Sequence, residues 1–242
     1  MKSRLGILIG GEMSRLNKYN LFAANFVVLL MWIVICAFID GEILRTFIPL
    51  IFLMDTTMMT VLMTGATMFY EKKEHTVHSI LVTPVTVDEY LGAKMVSGVV
   101  NSLITVVFIS GALYFIKGVT YNYALVVGGV IVTAALHTLI GLWMSYRSAN
   151  FTNMLVNFML YIFLCFIPTL LVDFGVLSER AGDWMILLPP ESAGVLIGAA
   201  VATQDVWKMA VGYGWLIALT VALYLLVVRP RFVDYAMREL GV

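Results

Sequence analysis

The sequence predicts an all-α polytopic membrane protein with six transmembrane helices, and three observations carry that expectation. Hydrophobic residues fill 61% of the 242 positions and charged residues only 12%, with a mean hydropathy of +0.95. A soluble domain carries about 25% charge, and a core of this size has no room for the apolar surplus, so lipid must take part of it. Six apolar runs reach the length of about 20 residues that a bilayer core of about 30 Å requires. The runs are too long and too uniform to be the alternating strands of an outer-membrane barrel. An ordinary soluble enzyme is thereby excluded. Fifteen Lys plus Arg against fifteen Asp plus Glu leave a net charge of +0, without the basic footprint of a nucleic-acid binder. Cys36 and Cys165 lie inside apolar runs, which excludes a disulfide-rich fold.

Residues 1–242 read as one transmembrane domain, opened by an amphipathic interface helix over 1–20. Leu5, Ile9, Met13 and Leu16 recur at helical spacing, and Lys2, Arg15 and Lys18 suit lipid headgroups. Gly10 and Gly11 oppose the helix, leaving a loosely ordered tail as the alternative. Glu12 and four bases interrupt this stretch, so no cleavable signal peptide is expected. The spans follow as Leu21 to Ile39, Thr46 to Tyr70, Met95 to Ile116, Asn122 to Tyr146, Phe151 to Val172 and Met209 to Val228.

Lys2, Arg4, Arg15, Lys18, Lys72, Lys73, Lys94, Arg147, Arg229, Arg231 and Arg238 fall on one side of these spans, eleven of the fifteen bases. Arg45, Lys117, Arg180 and Lys208 fall on the other. Positive residues stay inside, so both termini are expected in the cytoplasm of a bacterial or archaeal cell.

The loop after the second span, residues 71–85, is patterned too regularly to be slack. Glu71 to Leu81 suits a short helix with Val77, Ile80 and Leu81 on one face and Glu71, Lys73 and Glu74 kept wet. Pro84 stops it, Thr83 turns extended, and Thr86 with Glu89 forms a capping box for the next helix. A charged helix tipped by a small apolar patch suits docking on a partner; a plain surface elbow is the alternative. His75 and His78 lack the four ligands that structural zinc needs, so no metal is expected.

Glu74-His75-Thr76, Ile80-Leu81-Val82-Thr83-Pro84-Val85 and Glu89-Tyr90-Leu91-Gly92-Ala93-Lys94 resemble the first cytoplasmic loop of ABC-2 type transporter permeases. The likeness covers the whole chain in architecture and the stretch from Glu71 through Lys94 in detail. His75 stands where glycine is frequent and Ile80 where leucine is frequent. The resemblance implies an ABC-2 type permease fold whose loop is a coupling helix. Glu71, Glu74, Thr76, Val77, Ile80, Leu81, Thr83 and Pro84 would seat it on an ATP-binding cassette ATPase subunit. It also implies a second permease copy or a related permease. The chain has no phosphate-binding loop, since the Gly6 to Gly11 stretch is followed by Glu12 and lacks the lysine. ATP and Mg are therefore expected on the partner, with no cofactor and no catalytic residue here.

Asp55 lies about 15 Å along the second span, near the midplane, where a carboxylate is costly unless solvated, paired or protonated. Thr56, Thr60, Thr64 and Thr67 continue a hydroxyl stripe that either lines a polar substrate path or bonds neighbouring helices. A direct pair of Asp55 with His137 would leave a depth mismatch of roughly 9 Å, so His137 reads as a hydrogen-bonded core residue. Asn101, Asn153 and Asn157 suit interhelical bonds, and Pro168 should kink the fifth span. Residues 173–208 are too short and broken for two more spans and read as an extracytoplasmic re-entrant or interfacial segment, with Trp184 and Trp207 at headgroup level. In the permease family a re-entrant pair at this position closes the outer mouth.

These features point to the membrane subunit of an ATP-driven exporter of a drug-like or other amphipathic small molecule, the many methionines suiting an adaptable apolar surface. Peptide or lantibiotic export and polysaccharide export are alternatives within the family. A non-transport membrane docking or assembly protein, and an ion-coupled carrier using Asp55, are alternatives outside it.

Overall fold

A computed structural model describes residues 4–77 and 82–239, and every regular element among them is helical. Six helices are long and apolar enough to cross a membrane: Leu21–Phe38, Ile43–Lys73, Val87–Lys117, Tyr123–Arg147, Phe151–Val172 and Val206–Met237. Each contains or closely overlaps a predicted span. The second and third are 31 residues each. At 1.5 Å per residue that is about 46 Å, longer than a bilayer core of about 30 Å, so their ends stand beyond the hydrocarbon.

Local signals set the helix ends. Thr86 accepts from the Glu89 amide at 3.2 Å while the Glu89 carboxylate accepts from the Thr86 amide at 2.9 Å, the expected capping box. Asn122 and Asn150 cap the fourth and fifth spans through Leu125 and Asn153. The third span ends on Gly118, whose φ of +64° is open to glycine without strain.

Three spans contain a wide π turn: Asp55–Met59, Ile162–Phe166 and Tyr224–Val228. The second and third each end two residues before a proline, Pro168 and Pro230. A proline has no N–H and clashes with the carbonyl four residues back, and a widened turn relieves both faults. Pro168 thus acts through a local bulge. No proline follows the turn at Asp55 before Pro84.

The fourth span is the hub, with 67% of its apolar window buried against 17% for the first, 12% for the fifth and 17% for the sixth. Bulk on its neighbours forces small residues onto it. A Cβ on Gly141 would sit 3.0 Å from the Val61 carbonyl oxygen and 3.3 Å from Val61 Cα, backbone atoms that cannot move aside. Gly98 of the third span faces the side chain of Thr138. The helix Pro189–Gly198 also enters this core, with Ser192, Ala193, Leu196 and Ile197 buried between the second, fourth and sixth spans.

Gly141→Ala should therefore cost about 1–3 kcal/mol by overpacking. Gly111→Ala, with nothing within 4 Å of its Cβ, should be neutral or slightly stabilising. Thermal unfolding of the two variants in one detergent measures the difference.

Candidate functional site

The N-terminal helix Arg4–Lys18 lies across the end of the bundle where the second span gives way to the third. It forms through both Gly10 and Gly11. Lys18 and Tyr19 at its end bind the Glu74 carboxylate, at 2.7 Å each, and Arg4 near its start donates to the Pro84 carbonyl at 3.4 Å. The helix thus straps both ends of the loop. It does not lie on the surface alone, because Glu12 points into the bundle and is 3% exposed.

Glu12 belongs to a buried ion cluster. Lys94 Nζ lies 2.6 Å from Glu71 Oε1 and 3.1 Å from Glu12 Oε2. Arg15 lies 2.8 Å from Glu12 and 3.3 Å from Glu71, and Tyr90 donates its hydroxyl to Glu71 Oε2 at 2.5 Å. Two acids and two bases from three helices balance in charge, which makes their burial tolerable. Burial pushes the Glu12 carboxyl above the usual carboxylate range, against the pull of Lys94. The exposed Glu74 is held below that range by Lys18 and Tyr19.

This geometry corrects the helix expected over Glu71 to Leu81. The second span itself continues to Lys73, and the chain then turns through His75 at a φ of +55° before helix resumes at Thr76. Left-handed backbone favours glycine, and here His75 adopts it. Glu71, expected to be wet, is 0% exposed. Val77, expected at the docking tip, is buried against Tyr90, Leu91 and Phe232. Ile80, Leu81 and His78 lie outside the described residues. Thr76 donates to the Glu71 carbonyl, while Val82, Thr83 and Pro84 are exposed. The third span is tied in turn to the end of the sixth, where Arg229 and Tyr224 bind Asp88 at 2.7 and 2.5 Å.

A polar seam runs inward from the ion cluster. Lys94, Ser97, Asn101 and Thr105 share one face of the third span, and Thr67, Thr64 and Thr60 share the facing side of the second. Between them is a cavity of about 30 Å³ lined by Glu12, Lys94, Thr60, Thr64, Thr67 and Asn101 among others. Thr60 and Ser102 hydrogen-bond across the seam at 3.1 Å. Thr67 instead bonds the Met63 and Thr64 carbonyls of its own helix. Asp55 and Thr56 lie beyond the cavity in the π turn, both buried. Of the hydroxyl stripe, Thr60, Thr64 and Thr67 line this small cavity, and Thr60 bonds the neighbouring helix.

Away from the seam, His137 donates from Nδ1 to the Thr133 carbonyl at 2.8 Å, so its Nε2 accepts from Tyr161 at 2.9 Å. Asn101 reaches Met63 across the seam and Asn157 reaches Ser148. Asn153 was expected to bond between helices, but its side chain is exposed. No group of three or more metal-ligating side chains occurs among the described residues.

The family model for the fluoroquinolones export permease protein family matches residues 3–239. The chain belongs to that family. It is similar to the fluoroquinolones export permease proteins of two Mycobacterium tuberculosis strains, CDC 1551 / Oshkosh and ATCC 25618 / H37Rv. Each is 25% identical over 169 residues, covering 68% of this chain and 67% of the relative. No solved structure matches the chain. As a member of this permease family, the chain is the membrane-spanning subunit of an ABC-type exporter of drug-like substrates. It is a transport component rather than an enzyme, and it works with ATPase subunits.

Sequence reasoning passed over Glu12 and Lys94. The available signal was that Glu71 closes one apolar run and Lys94 opens the next, placing opposite charges at one depth of a helical hairpin.

Two outcomes check this end of the bundle. Because the folded state holds Glu12 above its ordinary range, stability should fall as pH rises from the ordinary carboxylate value through the folded one, and Glu12→Gln should remove that slope. The surface pair Lys18–Glu74 should give a coupling energy under about 1 kcal/mol in a double-mutant cycle, reduced further by salt.

Proposed function

We propose that this chain exports a fluoroquinolone-class or similar amphipathic drug, driven by ATPase subunits that dock on the loop at residues 71–85. The family match carries the substrate class. The buried ion cluster supports the docking reading, because it fixes the base of that loop rigidly to the second span, the third span and the N-terminal helix. A displacement of the loop is then passed to two membrane helices at once.

In this reading Thr76, Ile80, Leu81, Thr83 and Pro84 form the docking segment, with the buried Val77 packing it onto the bundle. Glu71 and Glu74 act beneath it, anchoring it through Lys94 and Lys18 rather than touching the ATPase. Both termini lie in the cytoplasm of a bacterial or archaeal cell, in agreement with the excess of bases at this end. The substrate path opens between the second and third spans, where Asp55, Thr56, Thr60, Thr64 and Thr67 offer polar groups to the drug's charged amine. The segment 173–208 closes the opposite, outer mouth. Its buried helix is held there by Trp215, which donates to the Leu187 carbonyl at 2.7 Å, and by the Ser192 bond to the Ile186 carbonyl. A second permease copy completes the path against the lightly buried first and fifth spans.

Replacing Ile80 and Leu81 with Asp should abolish co-purification with the ATPase while leaving membrane insertion intact. Undiminished co-purification contradicts the docking role. In vesicles holding permease and ATPase, Asp55→Asn should reduce export of a fluoroquinolone at least tenfold with abundance unchanged. Equal loss of both marks Asp55 as a structural residue.

A further inference from the structure

The seam between the second and third spans leads to oxygens that the chain itself does not satisfy. Asp55 Oδ1, Asn25 Oδ1, Thr56 Oγ1 and Asn101 Oδ1 are buried without a hydrogen-bond partner among the described residues. An unsatisfied buried polar group costs about 1–3 kcal/mol, so several along one seam imply a ligand from outside the chain. Two of them converge. Asn25 of the first span donates to Thr105 of the third at 3.2 Å, and Thr105, whose hydroxyl donates to the Asn101 carbonyl at 3.5 Å, lies close beside Asp55. All are oxygens, the donor type that hard cations take.

Two further observations narrow the ligand. The π turn at Asp55–Met59 is the one without a proline to explain it, and such turns collect at functional sites. The cavity that approaches from the ion cluster ends at Thr60 and Asn101, about one helical turn from Asp55 and Thr105. At about 30 Å³ it holds about two water molecules, at 10–15 Å³ each, and no drug.

We infer that Asp55, Asn25 and Thr105 form a midmembrane site for one small monovalent cation, a hydrated proton or an alkali ion, which enters through the cavity beside Glu12 and Lys94. An alkali ion sits against the Asp55 carboxylate with the Asn25 and Thr105 oxygens completing its shell. A hydronium gives its proton to Asp55 Oδ1 and leaves as water, with no electron transferred. Among the described residues, no charged side chain pairs with Asp55. From the third span Thr105 and Ser102 face it, and from the first span Asn25. The fourth span, packed on the π turn, carries His137, which is committed to Thr133 and Tyr161, with Tyr146 and Arg147 at the loop end. Glu12, Arg15, Glu71, Tyr90 and Lys94 stand together at the far end of the cavity.

The test uses the full permease in lipid nanodiscs with neither drug nor ATPase, so the signals stand or fall independently of the export reading. Melting temperature is compared in sodium, potassium and choline chloride at one ionic strength, and infrared absorption of protonated carboxyl groups is followed from mildly acidic to mildly basic pH. An alkali ion at a hundredfold excess over its Kd should raise the melting temperature by roughly 5 °C over choline. A proton ligand should instead give a carboxyl band that titrates in that range. Either signal should vanish in Asp55→Asn. It should weaken about tenfold in Asn25→Leu and Thr105→Val, which keep the carboxylate and decide the matter should Asp55→Asn fail to fold. Equal melting in all three salts together with an Asp55 ionised throughout overturns the inference, and so does a signal that neither Asn25→Leu nor Thr105→Val diminishes.

Discussion

The contact on which this end of the molecule depends is Lys94 held between Glu71 and Glu12. A lone ammonium buried this deeply costs several kcal/mol, and so does each lone carboxylate. Only together, with Arg15 and the Tyr90 hydroxyl completing the set, do these groups form a neutral cluster that can stay out of water. The consequence is mechanical. At this end the N-terminal helix, the second span and the third span cannot separate without exposing unpaired charge to an apolar surrounding, so their cluster-bearing ends move as one piece while the seam farther in is not locked by charge. The loop that rises from this piece inherits its rigidity.

From that anchor the structure grades from ionic to neutral polar to apolar. Charge sits at the membrane edge, where the 31-residue spans stand beyond the hydrocarbon. Hydroxyls and amides continue the seam inward, and a single acid, Asp55, stands at its end. On the far side of the hub the fourth span is packed with small residues against the second and third. The first, fifth and sixth spans turn apolar faces outward. The proposed export cycle uses this contrast: a stiff element receives motion at one end, and the polar seam farther in is where the path would open.

The spans were legible because their apolar runs leave no other element the right length. The capping box at Thr86 and Glu89 was legible because both partners are local. Glu12 was not, since one acid on a surface helix has the same pattern whether it faces water or a buried lysine; only the tertiary position of Lys94 decides. The break at His75 was hidden for a related reason. Histidine carries no turn signal of its own, and its left-handed backbone follows directly on Glu74, which Lys18 and Tyr19 hold. Val77 kept its apolar role but turned inward into a buried cluster that includes Phe232 of the sixth span, distant in sequence. The π turns next to Pro168 and Pro230 could be anticipated from those prolines, whereas the one at Asp55 could not.

The most direct test of the central cluster is a double-mutant cycle on Glu71 and Lys94 by thermal or denaturant unfolding in detergent. Glu71→Leu and Lys94→Met should each cost about 3–5 kcal/mol, because each strands a buried charge. The double variant, which leaves Glu12 paired with Arg15, should recover most of that loss and yield a coupling energy well above the roughly 0.3–0.5 kcal/mol of independent sites. Single losses that simply add would contradict the claim that this contact holds the three helices together.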